Sequence, residues 1–533
     1  MVDAAPLPRR TIAIISHPDA GKSTLTEALA LHADAISEAG AVHGKGHRRA
    51  TVSDWMEMEK ARGISISSAA LQFEYRGHLI NLVDTPGHAD FSEDTYRVLS
   101  AVDSAVMLVD AARGLEPQTL KLFQVCAQRG LPVLTVINKW DRPGLDALEL
   151  LDEIEREIGL TPTPLTWPVG IAGVFEGVLD RRSGELVRYT RTAGGATRAP
   201  EEHVRPEDAR AHLRDHAGPM AAEAWDEAAE ADALLRADGA DHDLDSYLAA
   251  VTTPVLFASA LLNFAVAQLL DTLVDLAPAP QPTPDVDGRL RATDADFSAL
   301  VFKVQSGMDA AHRDRLAYAR ICSGTFERGM SVTHAATKRA FSTKYAQVVF
   351  GRERTSVERA YPGDIIGLVN ARSLRVGDTI YTGQPVSYPP IATFAPEHFA
   401  TATVTDASRW KQFRRGIEQL DQEGVVQVLR SEARGDHAPV LAAVGPMQFE
   451  VAAARMSDEY GAPVRLESLA YTVARRVPAD QVDAVAGLRD VEVLHRADGS
   501  ALALFMDRWR LQSVQRQHPE LILEALPAGA DAG

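Results

Sequence analysis

Apolar runs of strand length recur through the first half of the chain, at residues 12–15, 78–83, 133–137 and 254–256. Their length, their β-branched content and the turn residues that close them predict strands. Between and after them, residues 25–31, 117–128, 147–158 and 263–276 carry helical periodicity, so residues 1–277 read as one α/β domain. An insertion at about 159–253 interrupts it, with short strand-like pieces and then an Ala/Asp/Glu-rich stretch, 220–248, whose propensity predicts helix. The Pro-rich run 277–284 cannot continue a helix and marks a boundary. Beyond it, in residues 278–388, short β-rich runs separated by Gly turns (299–304, 329–333, 365–369, 379–381) predict a small β-barrel. In residues 389–533, helical stretches 409–423 and 447–460 alternate with strand-like 425–429 and 440–444, which predicts an α+β domain. The Ala/Gly-rich tail after Leu526 is expected to fray.

Composition changes this picture little. Hydrophobic residues at 46% and charged residues at 24% are ordinary for a globular chain, and 533 residues suit three or four domains. Apolar runs such as 256–276 are broken by Asn263, Gln268 and Asp271, short of the ~20 residues needed to span a bilayer, and the first ten residues lack the apolar core of a secretory signal. Two cysteines, Cys126 and Cys322, make neither a disulfide framework nor a metal cluster. The expectation is a cytoplasmic, reduced protein with no membrane partner. A net charge of −18 argues against nucleic acid and, in particular, against DNA, but residues 201–245, with 14 acidic against 4 basic side chains, supply ten of those charges. Basic clusters at 43–49, 312–320 and 409–415 are either solvated faces or RNA contacts.

Candidate chemistry begins where the first strand ends, at Ser16-His17-Pro18-Asp19-Ala20-Gly21-Lys22-Ser23-Thr24. A tight loop between a strand and a helix N-terminus turns successive backbone N–H groups onto a phosphate; Lys22 reaches the outer phosphates and the Ser23 hydroxyl holds a divalent cation. Ser16 stands where the general pattern has its first Gly, so the motif is relaxed at that end.

Asp84-Thr85-Pro86-Gly87-His88 follows the second strand-like run. There a carboxylate can join the Mg²⁺ shell and the Gly87 amide can meet the terminal phosphate. The bare pattern DxxG also occurs at Asp141, Asp215, Asp285, Asp364, Asp421 and Asp458, most of them read as solvated turns; the position of Asp84 sets it apart. Asn138-Lys139-Trp140-Asp141 closes the 133–137 run, at the carboxyl end of a strand. The Asp141 carboxylate can accept from both the ring N–H and the amino group of guanine, donors that adenine lacks in that arrangement. A weaker element is 257–261, where the backbone of Ser259 and Ala260 would meet the base edge, and Ser65 in Arg62-Gly63-Ile64-Ser65 is the candidate second hydroxyl on Mg²⁺.

Together these motifs resemble the translational GTPases, whose second switch reads DxPGH. Within that superfamily Ser16, Ser65 and the stretch 84–96 are similar to the peptide chain release factor 3 family, a class II release factor, and so are 302–305, Met308-Asp309, 312–315, 360–367, 394–397 and 445–450. Residues 258–261 depart from that family's Gly-Thr-Ala-Leu, and 190–245 match it poorly. The resemblance implies a multidomain α/β protein: a P-loop GTPase domain with an insertion, a β-barrel domain and an α+β C-terminal domain. It implies GTP/GDP and Mg²⁺ as cofactors, His88 as the residue that positions water with Lys22 and Gly87 as catalytic partners, and Ser23, Ser65 and Asp84 at the metal. The expected partners are the ribosome and the codon-reading release factors, whose dissociation such a GTPase stimulates. The chain has no GGQ tripeptide, so it is not expected to cleave peptidyl-tRNA itself. The alternative is a translocase or ribosome-protection GTPase resembling elongation factor G; such proteins continue with further domains, and length favours the first reading.

Overall fold

The first domain is a parallel-sheet domain, and its strands are the apolar runs: β1 (Arg9–Ser16), β2 (Ala69–Tyr75), β3 (His78–Asp84), β4 (Ser104–Asp110), β5 (Val133–Asn138), β6 (Thr161–Pro164) and, after four strands of an insertion, β11 (Thr252–Phe257). The computed structural model describes residues 6–36, 68–192, 197–306, 315–350, 353–369, 371, 373–391, 393–431, 434–435 and 437–526. Sheet order is β2-β3-β1-β4-β5-β11-β6, with every pairing parallel except β2 with β3. Helices α1 (Lys22–His32), α2 (Ser92–Leu99), α3 (Pro117–Gln128) and α4 (Ala147–Ile158) alternate with these strands. Parallel strands are covered on both faces, and so Ile12, Ile14, Val106, Leu108 and Val136 are all fully buried. The crossovers leave the carboxyl ends of β1, β3, β4, β5 and β11 along one edge, where open α/β sheets bind ligands.

The insertion is smaller than its sequence limits. Because β6 pairs in parallel with β11 (Thr252↔Thr161 to Val255↔Pro164), residues 161–164 belong to the central sheet. The inserted part is a four-stranded sheet of β7 (Thr166–Val169), β8 (Gly177–Asp180), β9 (Leu186–Tyr189) and β10 (Glu201–Val204), followed by α5 (Pro206–Ala217), α6 (Pro219–Ala237) and α7 (Leu244–Leu248). Helix α5 escapes a periodicity search because it buries only Ala209 and Leu213 on an otherwise charged surface. The last helix of the domain, α8 (Val266–Leu276), starts later than its apolar pattern: Asn263 and Ala265 have φ of 60° and 59°, held by paired bonds between Ser259 and Phe264.

Beyond the linker, an antiparallel eight-stranded sheet winds from Ser298–Ser306 and Arg315–Ser323 through Ile365–Val369 and Thr379–Tyr381, a barrel-like domain. It shares an apolar core with the first domain, since Phe302, Leu316, Tyr318 and Ile365 pack with Val83, Val98, Val102, Met107 and Leu122. Polar ties border that core: Arg320 Nη2 to Asp103 Oδ1 at 2.5 Å, Arg9 Nε to Asp364 Oδ1 at 3.3 Å and Thr11 Oγ1 to the Gly363 carbonyl at 2.7 Å. Two of the stray DxxG aspartates therefore are not solvated turns. Asp364 is buried against Arg9, and Asp421 is half-buried, its pKa pushed up by desolvation while it accepts from Val428 N–H.

The third domain packs α9 (Trp410–Glu423) and α10 (Met447–Asp458) on a sheet of Gln427–Leu429, Val440–Ala443, His398–Val404 and Val464–Ser468. A second small sheet, Val473–Val477, Ala501–Phe505 and Val491–His495, follows with Arg508–Gln517 as its helix. Both cysteines are free and buried, and desolvation pushes the Cys126 thiol up to about 12. Among the described residues no helix is long and apolar enough to cross a membrane.

Candidate functional site

The phosphate loop joins β1 to α1 through left-handed backbone. Asp19 has φ of 66° and Gly21 φ of 100°, so consecutive amides turn inward at the start of α1. Gly21 is required twice over, by that φ and because a Cβ there would lie 2.5 Å from Asn138 Nδ2. Ser16 is tolerated in the place of a glycine because it sits at the buried end of β1 and its hydroxyl donates to the His17 carbonyl at 2.9 Å. His17 is buried, which lowers its pKa and keeps it neutral; its Nδ1 lies 3.2 Å from Glu116 Oε2. Pro18 and Thr24 complete the loop and the first helical turn, half-buried beside Ser23.

Lys22 and Asp84 come together across the pocket. Lys22 opens α1, Asp84 ends β3, and the parallel pairing of Ile14 with Asp84 sets their distance: Nζ lies 2.6 Å from Oδ1. Ser23 follows Lys22 on the same turn. One carboxylate beside a helix-N-terminal hydroxyl is a donor set that fits Mg²⁺, which takes few protein ligands and completes its octahedron with phosphate and water. Ser65, the other hydroxyl expected there, lies outside the described residues, as do 43–49, Met308, Asp309 and 312–314.

The turn after Asp84 is fixed at both ends. Thr85 Oγ1 donates to the Ile14 carbonyl at 2.7 Å, and the Pro86 carbonyl accepts from Thr95 Oγ1 at 3.1 Å. Gly87 sits against the phosphate loop: a Cβ there would lie 3.4 Å from both the His17 carbonyl oxygen and Pro18 Cα. His88 is half-exposed, with Nδ1 3.3 Å from Asp90 Oδ1.

The Asn-Lys-Trp-Asp segment divides its work in a way its sequence does not reveal. Asn138 Nδ2 donates to the Ala20 carbonyl at 2.7 Å while its Oδ1 accepts from Ala260 N–H at 2.9 Å, tying the phosphate loop to the 258–261 loop. Lys139 donates to the Asp19 carbonyl and pairs with Asp110 Oδ2 at 2.7 Å. Burial raises the Asp110 pKa, but hydrogen bonds from Lys139 and Ala112 N–H outweigh it and hold the carboxyl below its usual range. Asp141 is half-buried and has no hydrogen bond or ion pair among the described residues, so its acceptor lone pairs are available.

Trp140 is buried, edge-on to Phe257 with ring centroids 4.9 Å apart, and its Nε1 donates to the Gly170 carbonyl. The Ser259 and Ala260 amides, expected at a base edge, are occupied by the Phe264 carbonyl and by Asn138. Sequence reading also missed Asp110 and Asp90. Asp110 ends a buried strand next to β1 and β5, the position that singled out Asp84, and that signal could have found it.

Comparison with known proteins bears on the whole chain. The Elongation factor Tu GTP binding domain model matches residues 7–279, Elongation factor G domain 2 matches 296–383, and Class II release factor RF3, C-terminal domain matches 388–515. Proteins described as peptide chain release factor 3 from Microcystis aeruginosa and Symbiobacterium thermophilum are each 45% identical to it, covering 98% and 97% of this chain and 96% and 97% of their own length. The corresponding protein of Acaryochloris marina is 46% identical over 97% of this chain and 95% of its own. A solved structure from Thermus thermophilus shares the fold, with a TM-score of 0.68 at 24% identity over 89% of this chain and 69% of that one. With its three domains matched in order and its full-length relatives this similar, the chain belongs to the peptide chain release factor 3 family.

Proposed function

We propose a division of labour among the site residues of this translation-termination GTPase. The amides of residues 19–24 and Gly87 cradle the phosphates of GTP, and Lys22 leaves Asp84 to neutralise the outer phosphate charge. Bound Mg²⁺, held by Ser23, Asp84 and Ser65, supplies charge neutralisation at the phosphate oxygens. Asp141 accepts from the guanine base, while Asn138 and Lys139 keep the loops that frame it in register. His88 orients the attacking water, so catalysis is positioning plus electrostatics, carried out in the cytoplasm on the ribosome. The result is faster departure of the codon-reading release factors.

One observation carries this reading: the Lys22–Asp84 pair lies beside the turn that bears His88, with the uncommitted Asp141 at the end of β5 on the same sheet edge. The test is His88→Ala on purified ribosomes. GTP binding should stay within a few-fold of the parent while ribosome-stimulated hydrolysis falls by about a hundredfold or more. The parent protein with GTP should raise the off-rate of a release factor from post-release ribosomes. Codon-by-codon movement of mRNA with no change in that off-rate would overturn the reading in favour of translocation.

A further inference from the structure

Asp90 lies outside the phosphate and base contacts, yet it sits where two domains meet. Its Oδ2 accepts from the backbone N–H of Met447 at 2.7 Å, and its Oδ1 lies 3.3 Å from Nδ1 of His88. Met447 is the first residue of α10, a helix whose N-cap is Pro446 and which has no capping side chain of its own, so Asp90 serves as its cap from another domain. Gly445 lets the two segments approach: a Cβ there would lie 2.1 Å from Asp90 Cγ, inside the carboxylate. Beside this contact Phe91 packs on Val451, with Val425 and Met447 against them. The Arg97 guanidinium of α2 also donates to the Glu423 and Gly424 carbonyls at 3.3 and 3.4 Å.

We propose that Asp90 is a positioning residue for His88 and that the C-terminal domain, by gripping Asp90 through the Met447 amide, completes the hydrolytic site. The inference rests on the reading of His88 given above. Nδ1 of His88 accepts from the Asp90 backbone N–H at 3.3 Å, and Asp90 Oδ1 lies 3.3 Å from the same nitrogen. With Nδ1 accepting, the neutral ring carries its hydrogen on Nε2, the nitrogen left to face water. The other carboxylate oxygen accepts from the Met447 N–H, and that contact fixes the Asp90 backbone that holds the ring. A shift of the C-terminal domain therefore reaches His88 through one side chain, without altering the phosphate loop or the base site.

Four variants test this: Asp90→Asn, Asp90→Ala, Gly445→Ala and Asp90→Ala/Gly445→Ala, each compared with the parent and with His88→Ala in the full chain. Asp90→Asn should lower ribosome-stimulated kcat by about tenfold or more, with GTP affinity within twofold, because a neutral amide holds the Met447 N–H less firmly than a carboxylate and a loosened ring affects the chemical step alone. Gly445→Ala, in the C-terminal domain, should produce the same split between kcat and affinity. In the Asp90→Ala background the added methyl meets no carboxylate, so Gly445→Ala should there have no further effect on kcat, a coupling that general destabilisation would not produce. Loss of GTP affinity in parallel with kcat, equal effects of Gly445→Ala in both backgrounds, or faster ribosome-free hydrolysis on breaking the contact would each overturn the proposal. If His88→Ala retains full activity, the reading of His88 fails instead; if His88→Ala is inactive while Asp90→Asn and Gly445→Ala match the parent, only the role of Asp90 fails.

Discussion

Lys22 and Asp84 neutralise one another across the phosphate pocket, with Nζ 2.6 Å from Oδ1 and both side chains almost fully buried. Two charges taken from water to this degree hold each other firmly, and a nucleotide must replace the carboxylate as the partner of Lys22 while a cation takes over Asp84. Asp84→Asn should remove the dependence on that exchange. The ratio of GDP off-rates without and with Mg²⁺, measured with a fluorescent nucleotide in the presence and absence of chelator, should fall towards one. A ratio equal to the parent's would remove Asp84 from the metal.

Asp141 and Asn138, three residues apart, should give opposite phenotypes. Asp141→Asn turns an acceptor into a donor facing the guanine N1–H, so discrimination should shift from GTP towards XTP by about 1–3 kcal/mol, read in competitive titrations. Asn138→Ala removes two buried hydrogen bonds, at 2.7 and 2.9 Å, that join the phosphate loop to the 258–261 loop. It should cost about 1–3 kcal/mol in thermal stability and weaken GTP and XTP alike, leaving their ratio unchanged.

Arg320 and Asp103 form a buried pair between the first two domains. Arg320→Ala strands a carboxylate, and urea denaturation should show a loss of about 3–5 kcal/mol. The double variant Arg320→Ala/Asp103→Asn should recover part of it. If the single and double variants are equally stable, the pair is not the cause.

His32, the last residue of α1, is held neutral: burial and then the neighbouring Arg198 lower its pKa from 6.5 to about 4. Below pH 6.5 the unfolded chain takes up this proton and the folded one does not, so stability falls with pH until about 4, where both forms are protonated. After allowance for screening at its partly solvated edge, the loss is about 1–2 kcal/mol. His32→Asn should lose less stability than the parent between pH 7 and 4.5 in chemical unfolding.

What the sequence disclosed and what it hid divide by distance along the chain. The placement of residues 16–24, the Asp84–His88 turn and Asp141 at strand ends was legible because buried parallel strands announce themselves as apolar runs. Helices α3 and α4 carry their periodicity on their faces and match their predicted spans. Hidden were the partnerships between motifs. Asn138 gives its amide to the carbonyl of Ala20, 118 residues away, and Trp140 packs edge-on against Phe257. The reach of Asp90 to Met447 spans 357 residues, and no local pattern announces it. Helix α5 was missed for a different reason, since a nearly all-polar helix that buries only Ala209 and Leu213 has almost no hydrophobic stripe to detect.

The apolar core shared by Phe302, Tyr318, Ile365 and the underside of the first sheet makes the two joints of this protein unlike each other. Sliding the barrel across the first domain would open that core and expose Arg320 and Asp103 to each other's loss, so those two domains travel as a single block. The C-terminal domain rests on α2 and the turn before it through polar contacts, the small Phe91–Val451 patch and the Tyr96–Phe394 ring pair, and on the barrel through Arg315 to Gln422. That joint passes within a single side chain of His88, the histidine proposed to aim the water.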